Sequence, residues 1–164
     1  MSSLAVTIPT DSADLAEVRA RLHSGARAEH FYAALLGLRT YEPLRLYQQV
    51  RRGLTYGAFE RLQRNTALSA RTLAQLAEIP ARTLARRREE GRLDPDESDR
   101  LLRVARVFGR ALELFEVDAA AARTWLTTPQ PALGGLVPLE LARTDVGARE
   151  VEQLVGRLEH GIPS

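Results

Sequence analysis

The spacing of apolar residues along the chain predicts helices almost throughout. In most segments apolar side chains recur every three or four residues, and no stretch alternates between apolar and polar positions as a half-buried strand would. The strongest start signal is Asp94-Pro95-Asp96-Glu97, which supplies an N-cap acid, a proline at the first helical position and an acid at the third. We therefore predict an all-α fold with one long helix from Asp94 to Phe115.

Two shorter helices with a tight break between them precede the long helix. Ser69 can cap the first of them, and Glu78-Ile79-Pro80 interrupts it before a second, arginine-rich helix that Gly91 closes. This pattern predicts a helix-turn-helix, whose second helix enters the major groove of DNA. Pro80 stands where a capping Ser or Thr is usual, so we expect the second helix to start without a side-chain cap. The alternative is a solvated basic helix on a helical bundle.

The arginines of this segment are the candidate DNA contacts. Arg82 and Arg86 lie four positions apart, so they share one face of the second helix, from which arginine can reach guanine edges. Other arginines of the segment are better placed for phosphates. The complete predicted DNA-binding set is Arg71, Arg82, Thr83, Arg86, Arg87 and Arg88.

The stretch WLTTPQPALGG, residues 125–135, contains the only tryptophan of the chain. Trp125 ends a predicted helix on its buried face, and the two prolines that follow prevent the helix from continuing. Leu133 is an apolar anchor, and Gly134 and Gly135 allow a turn that other residues resist. We interpret the stretch as a rigid corner that reverses the chain, with Trp125 as a buried core anchor.

The composition is that of a soluble globular protein, because 45% of its 164 residues are hydrophobic and 27% are charged. All 23 basic residues are arginine, and none of the residues is cysteine. Residues 1–110 have 19 arginines against 13 acids, whereas residues 111–164 have 4 arginines against 8 acids. This asymmetry suggests two different partners. With no signal peptide and no membrane span in the sequence, we expect a cytoplasmic protein.

No residue pattern points to catalysis. The spacing of His23 and His30 matches no metal-ligand motif, and no glycine-rich phosphate loop occurs. We therefore expect no metal, no cofactor and no enzymatic activity.

The C-terminal third resembles the toxin-binding domain of the Xre/MbcA/ParS-like antitoxins. The matching motifs are A-x-x-W-L at residues 122–126, L-G-G at 133–135, P-x-x-L at 138–141, T-x-x-G at 144–147 and V-x-x-L followed by glycine at 151–161. The upstream run RTLARRREEGRLDPDESDRLLRVARVF is similar to the helix-turn-helix region of the same family. Together they cover residues 40–164 and leave residues 1–40 unexplained. The domains we expect are an N-terminal helical extension of unclear role (1–40), a helix-turn-helix (41–110) and a toxin-binding domain (111–164).

This resemblance implies a type II antitoxin. Its partner would be a RES-domain toxin that consumes NAD; the antitoxin would block the toxin's NAD pocket and repress its own promoter, as a homodimer within a larger complex. The alternative is a helix-turn-helix regulator whose C-terminal segment only dimerises.

A last helix is predicted from about Asp145 to His160. Its predicted apolar set is Gly147, Val151, Leu154, Val155 and Leu158. The polar residues are then expected on its outer face, and the last residues form a short tail that could enter the toxin. For the tail, the alternative is a frayed terminus without a partner. The predicted toxin-binding set is Arg149, Glu152, Arg157, Glu159, His160 and Ile162.

Overall fold

The chain folds into helices joined by short turns. A computed structural model describes residues 12–24 and 30–161. In chain order the helices are α1 (Ala13–His23), a 3₁₀ helix (Phe31–Leu36), α2 (Pro43–Arg52), α3 (Tyr56–Thr66), α4 (Ala70–Leu76), α5 (Ala81–Glu90), α6 (Pro95–Leu114), α7 (Ala119–Leu126), a short 3₁₀ turn (Pro131–Leu133), α8 (Pro138–Leu141) and α9 (Asp145–Glu159). Within the described ranges there is no β-strand, only two isolated bridges. The predicted all-α fold is confirmed.

Helix α6 is the central element, and it begins as the sequence predicts. The carboxylate of Asp94 accepts a hydrogen bond from the Glu97 backbone N–H at 2.7 Å, and the Glu97 side chain accepts one from the Asp94 N–H at 3.1 Å. This capping box satisfies two backbone donors at the start of the helix. The buried face of α6 includes Leu101, Phe108 and Leu112, none of them accessible to solvent. The helix contacts the 3₁₀ helix, α2, α7 and α9.

The N-terminal layer, which we define as α1 and the 3₁₀ helix, is an integral part of the core. All six residues of Phe31–Leu36 are buried. They lie directly against α6, because a Cβ on Gly109 would overlap the Cβ of Tyr32. The sequence left the role of residues 1–40 open, and for the described part the structure supplies one.

A buried carboxylate holds the N-terminal layer to α3. The side chain of Asp14, only 6% exposed, accepts hydrogen bonds from Arg39 at 3.0 Å, Arg61 at 2.9 Å and Asn65 at 2.9 Å. Burial by itself raises the pKa of Asp14, but the hydrogen bonds from Asn65, Arg39 and Arg61 together lower it by more. The pKa of Asp14 therefore lies below its ordinary value. The charged carboxylate therefore stabilises the fold at neutral pH.

The predicted corner at residues 125–135 exists, and its glycines act as expected. Gly134 and Gly135 have φ of +68° and +81°, in the left-handed region that favours glycine. The backbone N–H groups of Gln130 and Gly135 close the turn by donating to Leu136 and Gln130 carbonyls, both at 3.0 Å. Leu133 is partly buried against the core.

Two predicted burials differ from the structure. Trp125 is only partly buried; its ring lies 6.3 Å from that of Phe115, and the fully buried residue at the end of α7 is Leu126. Leu158, predicted on the buried face of α9, is 40% exposed. Leu158 lies in the last turn of α9, and the last buried residue of this helix is Val155, so Leu158 extends past the core.

A single apolar core runs through all three predicted ranges. It extends from Leu15 in α1, through Phe59 in α3 and Leu101 in α6, to Val151 in α9. Among the helices that the structure describes, none combines the length and the apolar character of a membrane span.

Candidate functional site

The α4–α5 pair has the geometry of a helix-turn-helix. Ser69 caps α4 by accepting from the Thr72 N–H at 3.0 Å. Glu78 takes a left-handed conformation, with φ of +55°, and the Ile79 N–H donates to the Ala74 carbonyl at 2.8 Å. Ile79 is buried, and it thereby holds the turn against the core. As predicted, Pro80 stands at the N-cap of α5, and the helix starts without a side-chain cap.

Helix α5 lies on the surface and presents arginines to solvent. None of its residues is fully buried, and Leu84 is the apolar side chain that packs it against the core. Arg82 and Arg86 are both exposed, as their spacing predicted, and Arg86 makes only a loose ion pair of 3.8 Å with Glu90. Thr83 beside them is partly buried. Both arginines can therefore reach an external partner.

Arg71 on α4 and Arg88 near the end of α5 are also exposed. Like Arg82, they form no ion pair with any residue that the structure describes. Uncompensated guanidinium groups on adjacent helices attract the phosphates of a nucleic acid.

Arg87 differs from its neighbours because its guanidinium is occupied within the protein. It donates to Glu97 at 2.5 Å, Glu90 at 3.1 Å and Asp94 at 3.1 Å, and its side chain is 16% exposed. The hydrogen bonds to Glu97 and then to Glu90 raise the pKa of Arg87. The sequence suggested a phosphate contact for Arg87. In the structure its guanidinium instead links α5 to the start of α6.

The residues predicted to bind the toxin divide between two faces of α9. Arg149 points to solvent, with a side chain 70% exposed and an ion pair of 2.8 Å to Asp145. His160 is exposed at the C-cap, and Arg157 is partly buried. Ile162 lies outside the described residues.

Glu152 and Glu159 lie on the side of α9 that faces α6, contrary to the predicted outer face. Glu152 accepts from Arg106 at 2.5 Å, and Glu159 accepts from Arg110 at 3.3 Å. These two ion pairs fasten α9 along α6, and each glutamate side chain is only about a quarter exposed. The outer face of α9 has a different composition. Its exposed residues are Val146, Arg149, Glu150 and Gln153.

The start of α9 shows why Thr144 and Gly147 occur together. The Thr144 hydroxyl accepts from the Gly147 backbone N–H at 3.0 Å and caps the helix. Gly147 packs so closely on α8 that a Cβ there would overlap the carbonyl oxygen of Leu141. The motif therefore sets the position of α9 against α8.

Two family comparisons match successive parts of the chain. Residues 45–106 match the antitoxin Xre-like helix-turn-helix domain, and residues 110–161 match the antitoxin Xre/MbcA/ParS C-terminal toxin-binding domain. Among curated proteins, an antitoxin Xre of Yersinia enterocolitica is 36% identical over 118 residues, which cover 71% of this chain and 80% of that protein. An antitoxin Xre of Photorhabdus laumondii is 34% identical over 113 residues, covering 68% of this chain and 76% of that protein. A third, from Pseudomonas putida, is 37% identical over 84 residues, or 51% of this chain and 52% of that protein.

Proposed function

This chain belongs to the Xre antitoxin family, and on that premise we propose that it inhibits a RES-domain toxin by covering its NAD pocket. We propose further that it represses its own operon by binding the operator through α4 and α5. The observation that carries the proposal is the succession, on one chain, of a helix-turn-helix match at 45–106 and a toxin-binding match at 110–161. The chain performs no chemistry in this proposal and acts in the cytoplasm, where operator and NAD are found.

The DNA half of the proposal is supported by the exposed arginines of α4 and α5. Arg82 and Arg86 are exposed on α5, four positions apart, and we assign them to the major groove; Arg71 and Arg88 are also exposed, and we assign them to the phosphates. Two copies are expected on a two-fold operator, because a single helix-turn-helix reads one half-site. Sedimentation of the free chain tests for this homodimer.

The operator experiment uses two variants of α5 and an exposed arginine of α9 as the control. We expect Arg82→Ala and Arg86→Ala each to weaken operator binding by about 1–3 kcal/mol and to relax specificity at one base pair. Arg149→Ala removes an arginine that is also exposed, but on α9, and it should leave operator affinity unchanged. Operator binding by the Arg82→Ala/Arg86→Ala double variant at the affinity of the unchanged chain would contradict the placement of α5 in the groove.

The toxin half of the proposal is supported by the charge and exposure of the C-terminal segment. Residues 111–164 carry 8 acids against 4 arginines, and this excess of acids suits a pocket that attracts the phosphates of NAD. The outer face of α9 presents Val146, an apolar side chain that is 75% exposed. Inhibition would be steric and electrostatic, because the bound antitoxin occupies the approach of the substrate.

The toxin experiment measures NAD consumption by the protein encoded in the adjacent reading frame, with and without this chain. We expect inhibition at equimolar ratio, and we expect Val146→Glu to weaken it because a charge replaces an apolar contact. Removal of residues 160–164 tests the tail, including His160 and Ile162. A chain that binds the operator but leaves NAD consumption unchanged would favour the regulator that uses its C-terminal segment only to dimerise.

A further inference from the structure

The N-terminal layer borders the segment matched as toxin-binding. Both family matches begin after it, at residue 45 and residue 110, yet the layer packs on the same helix, α6, as α9 does. Its position is fixed on two sides, by the buried carboxylate of Asp14 and by the close approach to Gly109. It is therefore a rigid neighbour of α9.

A cleft of about 500 Å³ opens between the N-terminal layer and α9, above α6. Arg21, Leu22 and Phe31 line the wall formed by the layer. The opposite wall is formed by Arg149 and Glu152 of α9. The cleft thus joins residues inside the toxin-binding match to residues that neither family match includes.

The charges inside the cleft differ from those at its rim. On its floor Arg106 and Arg110 are engaged by carboxylates of α6 and α9, so they are neutralised within the protein. At the rim, Arg21 and Arg149 have side chains 41% and 70% exposed, and each pairs with an acid one turn away in its own helix. The guanidinium of Arg21 also lies over the Tyr41 ring, 4.3 Å from its centroid. Such exposed i,i+4 ion pairs contribute only about 0.3–0.5 kcal/mol, so they offer little resistance to an external carboxylate.

The apolar part of the lining comes from the N-terminal layer. Phe31 is buried and Leu22 is partly buried, and both turn carbon surface towards the space between the rim arginines. Two solvent-accessible guanidinium groups on opposite rims, with an apolar surface between them, fit a peptide segment that carries an apolar side chain next to an acidic one.

We infer that this cleft receives an acidic and apolar surface segment of the partner toxin, so that the N-terminal layer contributes to toxin recognition. The inference rests on the proposed function, because the occupant is the protein that α9 binds. Continuity supports it: Arg149 and Glu152 belong both to the matched toxin-binding segment and to the cleft. Recognition then extends beyond the residues matched as toxin-binding to residues of α1 and the 3₁₀ helix, and each added contact contributes to the choice of partner.

The test is the affinity of the full chain for the protein encoded in the adjacent reading frame, measured by titration calorimetry. Arg21→Glu reverses the charge of one rim, and we expect binding to weaken by about tenfold, typical of a charge contact at an interface. The double variant Glu17→Arg/Arg21→Glu keeps an ion pair within α1 but carries the same reversed charge at the cleft, so it separates recognition from stability. Arg45→Glu is the control, since Arg45 is 69% exposed on α2 and pairs with Glu42 three positions earlier in the chain.

The outcomes separate the inference from the proposed function. Weaker toxin binding by both Arg21 variants, with affinity within twofold for Arg45→Glu and with unchanged operator binding, supports the inference. Affinity equal to that of the unchanged chain for both Arg21 variants, while Val146→Glu weakens binding, overturns the inference and leaves the proposed function in place. An unchanged chain that neither binds nor inhibits the neighbouring protein overturns the proposed function itself.

Discussion

Replacing Arg87 by alanine tests whether this residue serves the fold or the DNA. Its guanidinium joins α5 to the first turn of α6, where Glu97 has a side chain only 4% exposed. In the Arg87→Ala protein Glu97 keeps a single described donor, the backbone N–H of Asp94 at 3.1 Å. A buried carboxylate that loses its cation is costly, because neither water nor another charge replaces it fully.

The size of the effect follows from the exposure of the three partners. Loss of one member of a buried ion pair costs about 3–5 kcal/mol, whereas the exposed contacts to Glu90 and Asp94 contribute about 0–1 kcal/mol each. Water can enter the space that the arginine leaves, so we expect a loss near the lower limit, about 3 kcal/mol. For a chain of this length that corresponds to a fall in Tm of roughly 6–12 °C.

The assay pairs thermal melting with operator titration over a range of salt concentrations. Arg88→Ala is the matched control: we expect it to melt within about 0.5 kcal/mol of the unchanged chain and to reduce the salt slope of operator binding by about one. Arg87→Ala should show the large loss of stability, and Glu97→Gln in the same chain should recover part of it, because the unpaired charge is gone. If Arg87→Ala melts normally and reduces the salt slope as Arg88→Ala does, Arg87 is a phosphate contact and the reasoning above is refuted.

Two further predictions concern stability. Asp14→Asn should lower the free energy of unfolding by about 2 kcal/mol at pH 7. The pKa of Asp14 is depressed below 3.8, so its contribution is complete above that pH and is lost as the pH falls through the depressed value. In urea denaturation at a series of pH values, stability should therefore fall less steeply towards acid pH for Asp14→Asn than for the unchanged chain, and an equally steep fall would contradict this. Trp125→Ala should lower the free energy of unfolding, measured by chemical denaturation, less than Leu126→Ala does. Trp125 is partly exposed to solvent, whereas Leu126 is fully buried and its removal costs about 2–5 kcal/mol. The reverse order would make Trp125 the anchor of α7.

The parts of the fold that the sequence predicts correctly are those with local signals. The start of α6, the break at Glu78-Ile79-Pro80 and the turn at Gly134-Gly135 each depend on residues a few positions apart. Capping and left-handed turns are short-range effects, so the order of residues is sufficient to show them.

The side-chain roles that the sequence did not reveal depend on distant partners. Asp14 meets Arg39, Arg61 and Asn65 across 25, 47 and 51 positions, and no periodicity indicates such a cluster. Glu152 was expected on the outer face because the apolar set of α9 leaves it among the polar positions; its arginine partner is 46 residues away. An amphipathic pattern separates apolar from polar positions, but it does not distinguish a polar residue in solvent from one paired at a helix–helix contact.

The continuous core also makes a prediction about cooperativity. The sequence suggests an extension and two domains, which could unfold separately, but Leu15, Leu101 and Val151 belong to one buried cluster. Trp125 is the only tryptophan and lies in the toxin-binding segment, so its fluorescence reports on that segment, while far-ultraviolet circular dichroism reports on all helices. Because α6 contributes buried side chains along most of its length, neither half can unfold without exposing apolar surface of the other. We therefore expect the two probes to give the same midpoint and slope in urea. A fluorescence transition that precedes or follows the circular-dichroism transition would show that the toxin-binding segment unfolds independently.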